Sequence, residues 1–158
     1  SERFFHCSME RPFVPFRLAP DKLEQQQRQF NARREVQWFG FSGALQPPAT
    51  VVITVSGIGS GVLGGGGTNA LNGGVIAAGF DAAFVLAGLA QYEAEVVVTL
   101  ELSVQFLSLA TVSQPLAFTA GVVRSSRRFC YVRGVLAPQD NLSSPAFATA
   151  TGMVAPAK

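Results

Sequence analysis

The most regular alternation of apolar and polar residues in the chain lies between positions 96 and 107. Val98, Leu100, Leu102, Val104 and Phe106 fall on one parity, and Thr99, Glu101, Ser103 and Gln105 on the other. A period of two predicts a half-buried strand, with Thr99 on the polar face, away from the core. Further strand-like runs cover 116–123, 129–137 and 146–154, separated by turn-forming Ser, Gln and Pro residues. Upstream, the β-branched run 50–56 predicts another strand. The one long apolar run, 75–90, is shorter than the roughly 20 residues that cross a bilayer. It also contains Gly79, Asp81 and Gly88, and predicts a buried core helix rather than a membrane segment. Residues 22–38 are rich in Gln, Arg and Glu, with Leu23, Phe30 and Val36 on a loosely helical stripe. They predict one helix, capped by Asp21 after Pro20 and ending near Gly40 and Gly43, before a break at Pro47-Pro48. The order is α+β: an irregular segment and helix over 1–45, then one domain over 46–158. In that domain an antiparallel sheet packs on a single apolar helix.

A chain of 158 residues matches one domain. Hydrophobic residues make up 48% and charged residues 14%, against a usual charged share of about 25%. That balance excludes disorder and points to a surface partly covered by another subunit. Twelve Lys and Arg against ten Asp and Glu leave +2 with no basic stripe, which argues against nucleic-acid binding. Two distant cysteines (Cys7 and Cys130) and a single histidine (His6) supply no metal-ligand cluster and no histidine-based triad. No metal, cofactor or membrane partner is expected. No basic-then-apolar leader opens the sequence, so the expectation is a cytoplasmic protein with free thiols.

Gly59, Gly61 and Gly64 match the spacing of a dinucleotide-binding loop, with Asp81 twenty residues past Gly61. That loop has to open a helix at its third glycine. Here Gly65, Gly66 and Gly67 follow at once, and the β pattern after the helix is no second βαβ unit. The segment reads as a close-approach loop leading into a helix at Gly73.

Asp81 stands out because Ala77, Ala78, Phe84 and Val85, its neighbours three and four positions away, are all apolar. Either it caps a helix beginning there, or it is a carboxylate that is buried, paired or at an interface. The first reading leaves the good helix formers before it unused. At the other end, Asn72-Gly73-Gly74 offers a tight turn and free N–H groups that favour negative charge. Gly73 and Asp81 stand roughly 12 Å apart along one helix. To act on one atom they have to come from antiparallel helices of two subunits, as a two-fold dimer supplies.

Asn72-Gly-Gly-Val-Ile-Ala-Ala-Gly-Phe-Asp81 resembles the His-Gly-Gly…Asp element of hotdog-fold acyl-CoA thioesterases, in their phenylacetate-degradation (PaaI-like) branch. In that branch the His and the Asp are also nine positions apart. The strand over 98–110 is similar to the family's central strand, and the run 116–123, the Arg124-Ser-Ser-Arg127-Arg128 turn and Ala148-Thr-Ala-Thr-Gly152 are similar to its last three strands and their turns. The resemblance spans about 50–155. It implies the hotdog fold, with the long helix wrapped by the sheet, and hydrolysis of an acyl- or aryl-CoA thioester by a homodimer or homotetramer. It casts Asp81 as base or nucleophile, Gly73 as oxyanion donor from the opposite subunit, and Asn72 and Thr99 as positioning groups. Gly74, Asn69 and Phe84, beside Phe80, are candidates for substrate contact. Arg124, Arg127 and Arg128 are candidates for the coenzyme A phosphates. The sequence departs from the family at Asn72, where the family has His, and at Gly66, where it has Asn. Asn keeps a side-chain donor but does not titrate. The rival readings are an acyl-CoA-binding module without catalysis and, behind it, an enoyl-CoA hydratase.

Overall fold

The computed structural model describes residues 12–56, 60–64, 67–141 and 144–158. His6, Cys7, Gly59, Gly65 and Gly66 lie outside them. Helices α1 (Pro20–Asn31) and α2 (Arg34–Trp38) precede strands β1 (Phe41–Gln46) and β2 (Thr50–Val55). Then come the long helix α3 (Gly73–Leu89) and strands β3 (Val97–Phe106), β4 (Leu116–Ser125), β5 (Cys130–Pro138) and β6 (Ala148–Pro156). The strands form one six-stranded sheet in the order β1-β2-β4-β5-β6-β3, and every neighbouring pair is antiparallel.

Helix α3 packs across this sheet, against all six strands. Phe80, Phe84 and Leu86 are fully enclosed. Burying a side chain of this size contributes about 1.5–3 kcal/mol relative to leaving it in water. Phe80 meets Phe118 of β4 edge to face, with ring centroids 5.0 Å apart. Two contacts need the absence of a side chain. A Cβ on Gly79 would lie 2.1 Å from the Phe118 ring, and one on Gly152 would lie 2.9 Å from Phe84. The glycines therefore set how closely helix and sheet approach.

The N-terminal region differs from the single helix expected over 22–38. The chain leaves the helix after Asn31 and resumes it at Arg34. The Asn31 side chain turns to β1, donating to the Gly43 carbonyl at 2.9 Å and accepting from the Gly43 N–H at 2.8 Å. The helix itself is preceded by Ala19, and Asp21 lies inside the first turn, where it complements the helix dipole instead of capping. Gly40 and Gly43 are not both terminators. Gly40 adopts a left-handed φ of 75° between α2 and β1. Gly43 belongs to β1, where a Cβ would collide with Leu86 and Phe30. Strand β1 is the element that the pattern missed, because Phe-Ser-Gly-Ala-Leu-Gln has neither clean alternation nor β-branched residues.

Strand β3 carries a second correction. Its pairing with β6 shifts between Thr99 and Glu101, which leaves Leu100 as a bulge residue. One extra residue inverts the facing of everything before it. Thr99 pairs with the fully buried Val154 and faces α3, while Leu100 is 54% exposed. Strict alternation put them the other way round.

The close fit at Gly79 is testable. Phe118 is fully buried and has nowhere to swing. Gly79→Ala is expected to cost about 2 kcal/mol through overpacking, read as a lower urea midpoint at unchanged slope.

Candidate functional site

Asp81 lies in the middle of α3 and does not begin it. The helix cap is Asn72, whose Oδ1 accepts from the Gly74 N–H at 2.8 Å. This settles the two readings of Asp81 in favour of a carboxylate within a helix. Capping fixes the orientation of the Asn72 amide and turns its Nδ2 donor away from the helix. The Gly73 N–H at the first helical position has no acceptor among the described residues, as expected of a first-turn donor.

The sheet wraps most of α3 but leaves one strip uncovered. Ala77, Ala78, Asp81 and Ala82 are half-buried on it, and Asn72, Gly73 and Gly74 are exposed at its beginning. Strand β3 lies along one side of the strip and α2 along the other. From the β3 side, the Thr99 hydroxyl donates to Asp81 Oδ1 at 2.5 Å. That bond satisfies one carboxylate oxygen and leaves the other without a hydrogen bond among the described residues. Among the described residues the one ion pair is Arg28–Glu24 on the surface of α1, so none of them forms an ion pair with Asp81. On the α2 side, Asp81 borders an apolar pocket of about 110 Å3. Phe30, Val36, Phe39 and Phe41 form its outer wall, and Ala78, Ala82 and Val85 its floor.

The other expected site residues fall elsewhere. Asn69 is exposed in the loop before α3, and its carbonyl accepts from the Val112 N–H at 3.0 Å. Phe84 lies in the core, packed towards Gly134 and Gly152, and lines no pocket wall beside Asp81. Arg124, Arg127 and Arg128 are exposed at the β4–β5 turn, near the C-terminal end of α3. The turn is tied to the body by Tyr92, whose hydroxyl donates to the Ser126 carbonyl at 2.8 Å. Beneath it, burial pushes the Cys130 thiol up to about 11 and raises the Tyr92 phenol above its ordinary value. Cys130 is therefore a neutral core thiol at physiological pH and no nucleophile.

The pocket wall is what sequence reading missed. Phe30 and Val36 were legible as a helical stripe, but nothing in their spacing links them to a carboxylate 45 or more residues away. Among the described residues no three potential ligand side chains gather around a metal site. No helix among them is long and apolar enough to cross a membrane.

The thioesterase superfamily model matches residues 68–143. No curated protein matches. Among solved structures, a thioesterase family protein from Silicibacter pomeroyi aligns over 84% of this chain and 96% of its own, at 23% identity and a TM-score of 0.72. The E. coli PaaI protein from the phenylacetic acid degradation operon aligns over 87% and 95%, at 16% identity and a TM-score of 0.71. Zebrafish thioesterase superfamily member 2 aligns over 89% and 100%, at 15% identity and a TM-score of 0.69. The chain thus has the hotdog fold, and its resemblance to the hotdog thioesterases, PaaI among them, holds in fold over most of its length and in sequence over the thioesterase superfamily segment 68–143.

Proposed function

We propose that this protein hydrolyses an acyl-CoA thioester to a free acid and coenzyme A. The observation that carries the reading is Asp81, a carboxylate on the uncovered strip of an apolar helix. Thr99 holds one of its oxygens, and an apolar pocket adjoins it. Asp81 either takes a proton from a water that attacks the thioester carbonyl, or attacks the carbonyl itself to form a mixed anhydride that water then opens. In both routes the C–S bond breaks and coenzyme A departs as the thiol.

The developing oxyanion needs a donor close to the carbonyl. Gly73 suits that role by its free N–H and its place at a helix N-terminus, but it stands roughly 12 Å from Asp81 along the same helix. The site is therefore completed by a second copy whose α3 runs antiparallel to the first. Strand β3 supports this pairing. It is an edge strand with Val98, Leu100 and Phe106 exposed, the kind of edge that native proteins cover or pair. Phe106 also borders Gly73, so the edge and the helix N-terminus share one surface.

Asn72 directs its amide donor to the thioester in place of the family's histidine. Gly74 and Asn69 flank the approach to Gly73. Arg124, Arg127 and Arg128 meet the phosphates of coenzyme A from the β4–β5 turn. Phe84 contributes from the core, as packing beneath the site. The assembly is a homodimer, with a dimer of dimers as its extension.

Release of free thiol from acyl-CoA substrates tests the reading. Asp81→Asn is expected to lower kcat by about 10²–10⁴. Thr99→Val is expected to lower it about tenfold with little change in KM, since it removes one bond to a charged group. Saturable acyl-CoA binding without thiol release from any substrate would instead identify a binding module. The double variant Arg127→Ala/Arg128→Ala is expected to raise KM several-fold at unchanged kcat, more at low salt than at high. An unchanged KM would remove the turn from the site.

A further inference from the structure

The outer wall of the pocket beside Asp81 comes from residues that precede the matched family segment, and its floor from α3 within that segment. Helices α1 and α2 pack over the β1 side of α3 and stop short of filling the space above Ala78 and Ala82. The short side chains at these two positions leave the volume open. Phe30, Val36 and Phe39 close it from above. Arg33 also lines the pocket and is held at its edge. Its guanidinium donates to the Glu95 carbonyl at 3.1 Å and lies over the Phe30 ring, with the cation 5.9 Å from the ring centroid. The pocket offers an entering group apolar contact from Phe30, Val36, Phe39, Phe41 and the α3 floor, with Asp81, Arg33 and Glu35 as the charged residues along its lining.

Its size limits what enters. An apolar cavity of about 150 Å3 takes up a benzene ring. The pocket is open on one side, so its volume of about 110 Å3 limits the part of a chain seated inside it to about four carbons by the same proportion. Taking the thioesterase reading as its basis, we propose that the pocket is the acyl site and selects a short aliphatic acyl group of about four carbons. Phe39 sets the far limit and Ala78 the floor. Thioester chemistry then takes place at the pocket's mouth, where the acyl carbonyl meets Asp81.

The test measures binding and turnover separately. Binding uses S-alkyl-CoA thioethers with two, four, six and eight carbons, which lack the scissile carbonyl, titrated into the full-length protein. Each methylene up to four carbons is expected to tighten binding about fourfold, with no further gain at six or eight. Phe39→Ala is expected to extend the gain to six carbons, and Ala78→Leu to abolish it beyond two. Phe39 and Ala78 are half-buried at the edge of the core, and unchanged binding of the two-carbon probe by each variant shows that it is folded. Affinity that rises steadily to eight carbons would overturn the proposal. So would variants that weaken every probe equally, free coenzyme A included. Turnover across the matching acyl-CoAs separates the two claims. Thiol release that depends on Asp81 but comes with a flat binding profile sinks the pocket and leaves the thioesterase. A four-carbon binding optimum with no release from any acyl-CoA sinks the thioesterase and leaves the pocket.

Discussion

A carboxylate on a helix with no other polar side chain around it constrains the whole molecule. Asp81 cannot face the sheet, where Phe80, Phe84 and Leu86 are sealed from water. The helix is therefore rotated so that Asp81 lies on the strip that the sheet leaves open, and the Thr99 hydroxyl compensates for the partial burial. That single rotation decides the rest. It turns Gly79 onto Phe118, directs Phe84 towards Gly152, and lines Ala78 and Ala82 along the open strip. The sheet supplies apolar surface for one side of α3. The other side is left to whatever completes the site.

Two local irregularities serve that arrangement. The bulge at Leu100 brings Thr99 round to the helix while the rest of β3 keeps Leu102 and Val104 on the core side. The interruption after Asn31 allows α2 to lie across the strip and wall off the pocket. Without the bulge Asp81 would lack its hydroxyl partner, and without the break after Asn31 the pocket would lack the part of its wall that Val36 supplies. Both are departures from regular secondary structure placed next to the same carboxylate.

Much of this was legible in the sequence because the dominant signals are local. The apolar run placed the central helix to within two residues of its bounds, the alternating run marked β3, and three further strand-like runs marked β4 to β6. Asp81 was conspicuous for its surroundings alone. The facing of Thr99 was not legible, because a bulge is set by the pairing register with β6, which no property of residues 97–106 announces. Strand β1 was hidden for a similar reason. Its Gly43 reads as a helix breaker, whereas its role is to let β1 approach α1 and α3. The pocket wall depends on the packing of α1 and α2 across α3, a contact between segments distant in sequence. A single sequence carries no signal for that.

In the proposed reaction one site takes its carboxylate from one subunit and its oxyanion donor from the other. Coexpressing two inactive variants tests it most directly. Asp81→Asn removes the carboxylate. Gly73→Pro removes the N–H at the first helical position, where proline is tolerated. If the site is shared, each mixed dimer regains one intact site of two, and an equal mixture recovers about a quarter of wild-type thioester hydrolysis. Activity no greater than that of either variant alone would show that both groups act within one subunit, or that Gly73 has no part in the reaction.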